Sequence, residues 1–394
     1  MAAHLLRRTQ PPVVSTASAR GFGSAFLAVG DRAGARSRFA AALMGRFGAR
    51  RVALTDSGTS ALVMALRAAA GRGGTVALPA YGCPDLLAAA AVADVRVRLY
   101  DLDPATLSAD LESVAAVLAR GADAIVVTHL FGYASDIEAV AAIAAAHGTN
   151  VVEDAAQAAG GRLNGTRLGG FGPLTVLSFG RGKGVSGGGG GALLAFGAAA
   201  ADAGLEAEIS RIGNGVAAGW SALGVTAAQW LLARPSLYGI PASVPRLRLG
   251  ETVYRPAGEP RPIPASCAGL AAAALQRADV EARRREAVAA AVRHAAGNVH
   301  ATGIASVPGG HPGYLRLPVR RPGADAEPSL GVLRGYPATL DEYFVARRLL
   351  HAGEVSGPGS RELRDALFTA PTHHHVRRED VARIAAWLRN SGQG

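Results

Sequence analysis

The sequence predicts an α/β fold in which a mostly parallel sheet lies between helices, followed by a smaller α+β unit. Two observations support this prediction. Apolar segments of strand length alternate with segments of helix length from residue 51 to residue 196. After about residue 200 this alternation stops, and one further strand-like segment is followed by helices. Alternation of this kind is typical of parallel strands that helices cover on both faces.

The elements can be assigned in chain order from hydrophobic spacing and turn residues. Apolar residues at helical spacing predict a first helix over residues 32–48. Seven strands are predicted at 52–55, 75–79, 95–103, 123–132, 149–156, 174–180 and 191–196. Helices are predicted between them, at 61–70, 85–94, 107–121 and 137–148.

The carboxyl-terminal part of the chain has a different pattern. A long Ala/Arg helix is predicted from 267 to about 296, then a strand in GYLRLPVR (313–320) and helices at 341–353 and 378–390. The predicted units are an N-terminal arm with the first helix (1–45) and a large α/β domain (46–205). An insertion with an irregular, proline-rich linker (206–266) and a small α+β domain (267–394) follow.

Composition and charge restrict the class of protein. A hydrophobic content of 49% excludes a disordered chain. The net charge of +11 predicts anionic partners, such as phosphorylated substrates. A basic tract with interleaved aromatic residues is missing, so we do not expect nucleic-acid binding. The two cysteines, Cys83 and Cys267, suit neither a disulfide framework nor a metal site, which predicts a cytoplasmic protein with reduced thiols.

Two segments leave alternatives open. Residues 212–233 carry no charge, and their length would just span a bilayer. Asn214, Gln229 and several glycines dilute the segment, which favours a buried helical pair or an insertion that contacts membrane lipid. The Arg- and Ser-containing N-terminus resembles a transit peptide, but we interpret it as an ordinary arm.

One lysine stands out among the basic residues. Lys183 is the only lysine among 41 basic residues, and it lies in SFGRGKGVSGGGGG (178–191), at the end of a predicted strand. A lysine can lose its proton and form a Schiff base with a carbonyl, whereas a guanidinium stays charged. Arg181 could supply the neighbouring cation that lowers a lysine pKa. The alternative is a stray surface lysine.

A carboxylate ends another predicted strand in VVEDAAQ (151–157). Ligands of parallel α/β sheets bind at the carboxyl ends of the strands, and a buried carboxylate there needs a cationic partner. A pyridinium nitrogen would satisfy Asp154, and Gln157 could hydrogen-bond a ring oxygen. The alternative for Asp154 is a helix N-cap.

A third pattern is DSGTS (56–60), which opens a predicted helix. Ser57, Gly58 and Thr59 can present hydroxyl and N–H groups to a phosphate at the positive end of the helix, and Ser178 could add another donor. The alternative is simple helix capping. A lysine, a carboxylate and a phosphate cup on one α/β sheet together predict a pyridoxal 5′-phosphate (PLP) site.

These residues resemble the DegT/DnrJ/EryC1/StrS family of PLP-dependent sugar aminotransferases. The matching segments are TDSGTSALVMAL, VALPAYGCPD, VRLYDLD, THLFGYASDIEAVAAIAAAHG, VVEDAAQAAGG and SFGRGKGVSGGGGGALL, over about residues 40–195. The resemblance implies the PLP-dependent transferase fold type I, with a seven-stranded type of sheet, and a homodimer.

The resemblance also implies roles for individual residues. Lys183 would hold PLP covalently and then move the proton, while Asp154 would pair with the pyridine nitrogen and Gln157 with the ring hydroxyl. The phosphate would lie on Gly58, Thr59 and Ser178. Where the family usually stacks an aromatic side chain on the ring, this chain has Cys83; either Tyr81 substitutes or the smaller group is tolerated. The family's Gly-x-Asn-x-Arg stretch has no clear match.

The predicted function is therefore transfer of an amino group from an amino acid, expected to be glutamate, to a keto group. The expected acceptor is a nucleotide-linked sugar in polysaccharide or secondary-metabolite biosynthesis. One alternative is a PLP enzyme acting on a lipid-linked or other non-sugar carbonyl, with membrane contact through 212–233. Another is a catalytically silent PLP-fold binding protein.

Overall fold

The computed structural model describes residues 8–213, 215–247, 249–297 and 303–389. The strands are β1 (Arg51–Thr55), β2 (Thr75–Pro79), β3 (Arg96–Tyr100), β4 (Ala124–Thr128), β5 (Asn150–Asp154), β6 (Arg162–Leu163), β7 (Thr166–Arg167), β8 (Leu174–Ser178), β9 (Gly191–Ala195), β10 (Gly310–His311), β11 (Leu317–Arg320), β12 (Leu333–Arg334) and β13 (Leu367–Ala370).

The helices lie mostly where hydrophobic spacing predicts them. They are α1 (Ala19–Gly30), α2 (Arg32–Phe47), α3 (Gly58–Ala70), α4 (Asp85–Ala93), α5 (Leu111–Ala119), α6 (Ile137–Ala146), α7 (Ala203–Ile212), α8 (Trp220–Leu232), α9 (Gly239–Ala242), α10 (Ala265–Gln276), α11 (Ala278–Ala296), α12 (Ala346–Leu349), α13 (Pro358–Ala366) and α14 (Arg378–Arg389). The helix predicted over 341–353 is wrong in extent, because only a short 3-10 turn and the four-residue α12 form there.

The central sheet has seven strands in the order β1-β9-β8-β5-β4-β2-β3. All of its neighbouring pairs are parallel except the two that β9 makes with β1 and β8. Alternate residues of each strand enter different cores: Ile125 and Val127 of β4 pack on one face, and Ala124 and Val126 on the other. The predicted α/β fold with a mostly parallel sheet between helices is confirmed.

The register of the antiparallel strand β9 brings three segments to one edge of the sheet: those that follow β1 and β8, and the glycine run that precedes β9. Gly191, the first residue of β9, lies opposite both Thr55 of β1 and Ser178 of β8. A Cβ on Gly191 would lie 2.3 Å from the carbonyl oxygen of Ser57, so only glycine fits there. The glycine run before β9 therefore lets the Lys183 loop close against the turn that opens α3.

The carboxyl-terminal part has its own antiparallel sheet, in the order β11-β13-β12. Its core joins Val292 of α11, Phe368 of β13 and Ile384 of α14. The long helix predicted from 267 to about 296 is two helices with a break at Arg277. The first of them, α10, buries Cys267 in the core of the central sheet, while the division of the chain into domains stays a prediction.

The uncharged segment 212–233 forms one helix. Gly213 and Gly219 both have positive φ angles, of 66° and 83°, which end α7 and start α8. Thr226 is the buried residue of α8, and Trp220 is 53% exposed. The expected buried helical pair is wrong, and Asn214 lies outside the described residues. In the described part of the chain, every helix is too short or too polar to cross a membrane.

Candidate active site

The ends of β1, β5 and β8 bring the predicted site residues to one edge of the sheet. Asp154 ends β5, Ser178 ends β8, and Lys183 follows five residues later in the glycine-rich loop. The charge of Lys183 acts on both Asp154 and Cys83, so these three side chains share one electrostatic environment. The sheet thus assembles groups that are far apart in the sequence.

Asp154 is a buried carboxylate with little compensation. One oxygen, Oδ1, accepts the N–H of Ala156 at 3.0 Å. Burial raises the pKa of Asp154, and the Ala156 N–H and the charge of Lys183 oppose that rise. Among the residues described, none forms an ion pair with it. A cationic group at this position would remove most of the desolvation cost.

Glu153, the preceding residue, is fully engaged on the other face of β5. Its carboxylate accepts five hydrogen bonds, from His129 Nε2, Thr175 Oγ1 and the N–H groups of Gly169, Phe171 and Gly172, at 2.6–3.1 Å. His129 Nδ1 accepts the N–H of Ser135, which leaves Nε2 as the donor. Both side chains are completely buried. Their role is therefore structural, and neither is available to a ligand.

The turn that opens α3 forms a cradle with the end of β8. A Cβ on Gly58 would lie 2.6 Å from Ser178 Cβ, so a side chain there would fill the cradle. Ser57 caps α3 by accepting the N–H of Ser60 at 3.0 Å. The backbone of this turn also pairs with the glycine-rich loop, because Ser57 forms a parallel bridge with Gly190. The cradle lies at the positive end of a 13-residue helix, where an anion is stabilised.

Lys183 is half-buried, and its side chain has no hydrogen-bond or ion-pair partner in the described part of the chain. The loop packs closely, since a Cβ on Gly184 would lie 2.6 Å from Ala159 Cβ and 3.4 Å from Arg285 Nη2. The nearby cation that the sequence predicts for this loop, Arg181, is exposed. The buried Arg285 also lies against the loop, and its place in a run of three arginines gives no signal of this.

Arg285 is held by main-chain oxygens alone. Its Nε donates to Gly313 O at 2.8 Å, and its Nη2 donates to Ala159 O at 2.6 Å. Burial lowers the pKa of Arg285 to about 10. A buried, charged guanidinium therefore packs against the Lys183 loop.

Gln157 connects the site to an aromatic residue that the sequence did not indicate. Its Oε1 accepts the N–H of Phe131 at 3.0 Å, and its Nε2 donates to Tyr336 Oη at 2.6 Å. The rings of Phe131 and Tyr336 stack with centroids 5.7 Å apart. Tyr336 follows an irregular loop in the carboxyl-terminal part, where hydrophobic spacing carries no information about its partner.

The two candidates for the missing aromatic side chain lie in different environments. Tyr81 is completely buried, and its hydroxyl accepts the N–H of Tyr336 at 2.7 Å. Cys83 is half-buried near Asp154 and Lys183, and burial raises the pKa of its thiol to about 12, so the thiol is neutral. The cofactor contacts of both residues stay predictions.

The residues present fit PLP in three independent respects. The buried carboxylate of Asp154 lacks a cation, as a partner of a pyridinium nitrogen should. The cradle at Gly58 and Ser178 would be filled by any side chain, and it lies at the positive end of α3, where a phosphate is stabilised. The unpaired Lys183 lies in the glycine-rich loop that follows Ser178 and is close enough to influence Asp154.

Comparison with known proteins shows which family has a sequence pattern similar to that of the predicted α/β domain. Residues 26–205 match the sequence model of the DegT/DnrJ/EryC1/StrS aminotransferase family. This range contains every predicted site residue from Ser57 to Lys183, and it ends where the βα alternation stops.

Curated relatives align with part of the chain. A pleiotropic regulatory protein of Geobacillus stearothermophilus is 38% identical over 124 residues, which are 31% of this chain and 33% of that protein. A UDP-N-acetyl-3-dehydro-α-D-glucosamine 3-aminotransferase of Acidithiobacillus ferrooxidans is 31% identical over 159 residues, 40% of this chain and 42% of that protein. An L-glutamine:2-deoxy-scyllo-inosose aminotransferase of Micromonospora echinospora is 37% identical over 143 residues, with 36% and 34% covered. The chain thus spans about a third to two fifths of the length of these relatives.

A solved structure extends the likeness beyond the aligned segment. The sugar aminotransferase CalS13 from Micromonospora echinospora superposes with a TM-score of 0.73 over 98% of this chain and 100% of its own, at 21% identity. Identity at this level shows the fold alone. The chain therefore has the fold of that protein along its length, and its residues 26–205 are similar in sequence to the DegT/DnrJ/EryC1/StrS aminotransferase family.

Proposed function

We propose that this chain is a PLP-dependent aminotransferase that moves an amino group from an amino acid to the keto group of a sugar or related cyclic compound. One observation carries the proposal. Asp154, a buried carboxylate without a cationic partner in the described chain, lies within the electrostatic influence of the chain's only lysine.

The proposal assigns a role to each group. Asp154 would bind the pyridine nitrogen, and Gln157 the ring hydroxyl. Gly58, Thr59 and Ser178 would hold the phosphate, with Ser57 fixing the start of α3. Bound PLP would act as an electron sink for the carbon that loses or gains the amino group.

Lys183 would bind the cofactor covalently and, once released by the incoming amino acid, carry a proton to and from the reacting carbon. Its half-buried position limits access of water.

The acceptor and the donor are inferred from the relatives and the charge of the chain. Two of the relatives are named as aminotransferases of a UDP-sugar and of 2-deoxy-scyllo-inosose, and the latter uses L-glutamine. We expect glutamate or glutamine as the donor. A net charge of +11 favours an anionic acceptor such as a nucleotide-linked sugar. The enzyme is expected to be a cytoplasmic homodimer in polysaccharide or secondary-metabolite biosynthesis.

The experiment is a visible absorption spectrum of the purified chain with PLP, for wild type, Lys183→Ala and Lys183→Arg. A covalent cofactor band that requires Lys183, and that changes when glutamate or glutamine is added, supports the proposal. Lys183→Arg is the matched control, because it keeps the charge but forms no Schiff base. The background is low, since no second lysine exists in the chain. A band that persists in both variants contradicts the proposal.

A second acceptor class is favoured by the exposed apolar side chains of α8. Trp220, Val225 and Leu231 are 45–56% exposed. The same chemistry on a lipid-linked carbonyl would place these side chains at a membrane surface. Co-sedimentation with phosphatidylglycerol vesicles, lost in Trp220→Ser, would support this alternative, and equal sedimentation of both proteins would contradict it.

A further inference from the structure

A cavity of about 550 Å³ lies between the inserted segment and the Lys183 loop. We call it the insertion cavity. Its walls come from α8, from described residues in 238–247 and 249–252, from the N-terminal segment at Pro12–Val13, and from Arg316 and Leu333, next to β11 and within β12. The volume is in the range of pockets that bind small organic ligands.

The insertion cavity is apolar with a few polar groups. Val225, Leu232 and Leu247 give apolar surface, and the lining also contains the carboxylate of Glu251. Arg181 and Tyr238 also line the cavity, and their side-chain donors find no hydrogen-bond partner among the described residues. An apolar pocket with a few polar groups is the usual form of a small-molecule site.

The buried cation Arg316 adds to the positive potential of this cavity. It is 9% exposed and donates to the carbonyl oxygens of Pro12, Gly331 and Thr369 at 2.8–3.0 Å. In the described chain, no carboxylate pairs with it. Burial lowers the pKa of Arg316 to about 10, so it still carries its charge at neutral pH. A buried charge without a counter-ion favours an anionic ligand nearby.

The cavity adjoins the proposed reaction centre. Arg181 precedes Lys183 by two residues, and Val13, which packs on Gly182, lines both this cavity and the smaller space beside Lys183. Arg316 acts electrostatically on Tyr238 in the cavity and on Tyr336, the partner of Gln157. The cavity and the space beside Lys183 are therefore neighbours that share Val13 as a wall.

We propose that the insertion cavity binds the anionic, non-reacting end of the keto acceptor, with Arg181 and Tyr238 as its direct ligands. This inference rests on the proposed aminotransferase function and names the part of the acceptor that the inserted segment recognises. Arg181 binds the anion through its guanidinium, Tyr238 donates its hydroxyl, and the apolar wall packs against the attached ring. The shared chemistry is an oxyanion, from either the diphosphate of a nucleotide-linked sugar or a ring carboxylate.

The test is calorimetric titration of the PLP-loaded full chain with two probes, UDP and benzoate. We expect one of them to bind, and Arg181→Gln to weaken that binding about tenfold, the loss typical of a charge-assisted hydrogen bond. Tyr238→Phe should weaken it about threefold. Binding of UDP identifies the diphosphate as the source of the anion, and binding of benzoate identifies the carboxylate.

Arg246→Gln is the matched control, because Arg246 is exposed in the same inserted segment and does not line the cavity. The proposal is overturned if neither probe binds, or if Arg181→Gln and Arg246→Gln bind the probe equally well. The cofactor absorption band of each variant is recorded in parallel. A normal band without probe binding contradicts only the cavity proposal, whereas loss of the Lys183-dependent band in wild type contradicts the aminotransferase itself.

Discussion

The two faces of the end of β5 carry adjacent carboxylates in opposite states. On one face, Glu153 accepts five hydrogen bonds and ties residues 169–175 and His129 to the sheet. On the other face, Asp154 accepts one, from Ala156. Both residues lie in the same strand and both are buried, at 0% and 9% exposure. Their difference is the number of donors around them.

The contrast teaches which buried charge is structural and which is available to a ligand. For Glu153, burial alone would raise the pKa, but His129 and the N–H groups of Gly172 and Gly169 lower it below its usual value. For Asp154, burial raises the pKa, and its few partners do not reverse the shift. The fold stabilises the first carboxylate by itself and leaves the second to be stabilised by what binds there.

The largest expected effect is that of Asp154→Asn on turnover. The amide cannot keep a pyridine nitrogen protonated, so the electron sink weakens, and we expect turnover to fall by about 10²–10⁴-fold. Steady-state rates of amino transfer with a keto acceptor measure this. Asp94→Asn is the control, since Asp94 is exposed and asparagine tolerates its left-handed backbone, at φ 61°. Equal rates for Asp154→Asn and wild type would contradict the claim that Asp154, unlike Glu153, has a functional role.

Glu153→Gln should instead destabilise the fold. The amide nitrogen of the new glutamine would face hydrogen-bond donors that bind the carboxylate in wild type. Because these donors would lose their acceptor, we expect a loss of about 3 kcal/mol in the free energy of unfolding. Urea denaturation followed by circular dichroism measures it. Glu112→Gln, at an exposed position on α5, is the control and should change stability little. A Glu153→Gln protein as stable as wild type would mean that the five hydrogen bonds do not anchor the loop.

A smaller effect is expected from Gly58→Ala in the proposed phosphate cradle. The new Cβ would lie 2.6 Å from Ser178 Cβ, so Ser178 must move away from the helix end. We expect the affinity for PLP to fall by about 1–3 kcal/mol, the range for overpacking. Fluorescence titration with PLP measures it. Gly45→Ala, in α2 with open space around it, is the matched control and should leave PLP affinity unchanged.

The smallest expected effect belongs to Tyr336→Phe. The change removes the hydroxyl that accepts Gln157 Nε2 but keeps the ring that stacks on Phe131. We expect PLP affinity to fall by about 1 kcal/mol, because Gln157 loses one of the two contacts that orient it. The same titration measures it, with Tyr254→Phe as the control. If Tyr336→Phe binds PLP as tightly as wild type, the contact between Tyr336 and Gln157 does not contribute to cofactor binding.

The sequence predicts the sheet and its edge well for a physical reason. Strands such as β4 and β5 are short apolar runs between turn signals, and the carboxyl ends of parallel strands converge, so the strand pattern alone places Asp154 and Ser178 together. The difference between Glu153 and Asp154 cannot be predicted in this way, because their donors come from residues up to 24 positions away.

The parts that the sequence missed depend on irregular segments. Tyr336, Arg285 and Arg316 reach the site from the carboxyl-terminal part, and their partners are main-chain or side-chain amide groups without a sequence pattern. The prediction of a helical pair in 212–233 was based on the absence of charged residues in that segment. It did not take account of Gly219, whose positive φ makes α8 begin only at Trp220.

The most direct test compares the unfolding free energies of cofactor-free wild type, Asp154→Asn and Glu153→Gln at neutral pH. If Asp154 is a buried charge without a cationic partner in the cofactor-free protein, Asp154→Asn should stabilise that protein by about 1 kcal/mol. Glu153→Gln should destabilise it. Because the folded-state pKa of Asp154 is raised, its charged form costs stability above that pKa, and the gain should disappear at a pH below the ordinary aspartate value. Destabilisation by both substitutions at neutral pH would contradict the account, since Asp154 would then be as structural as its neighbour.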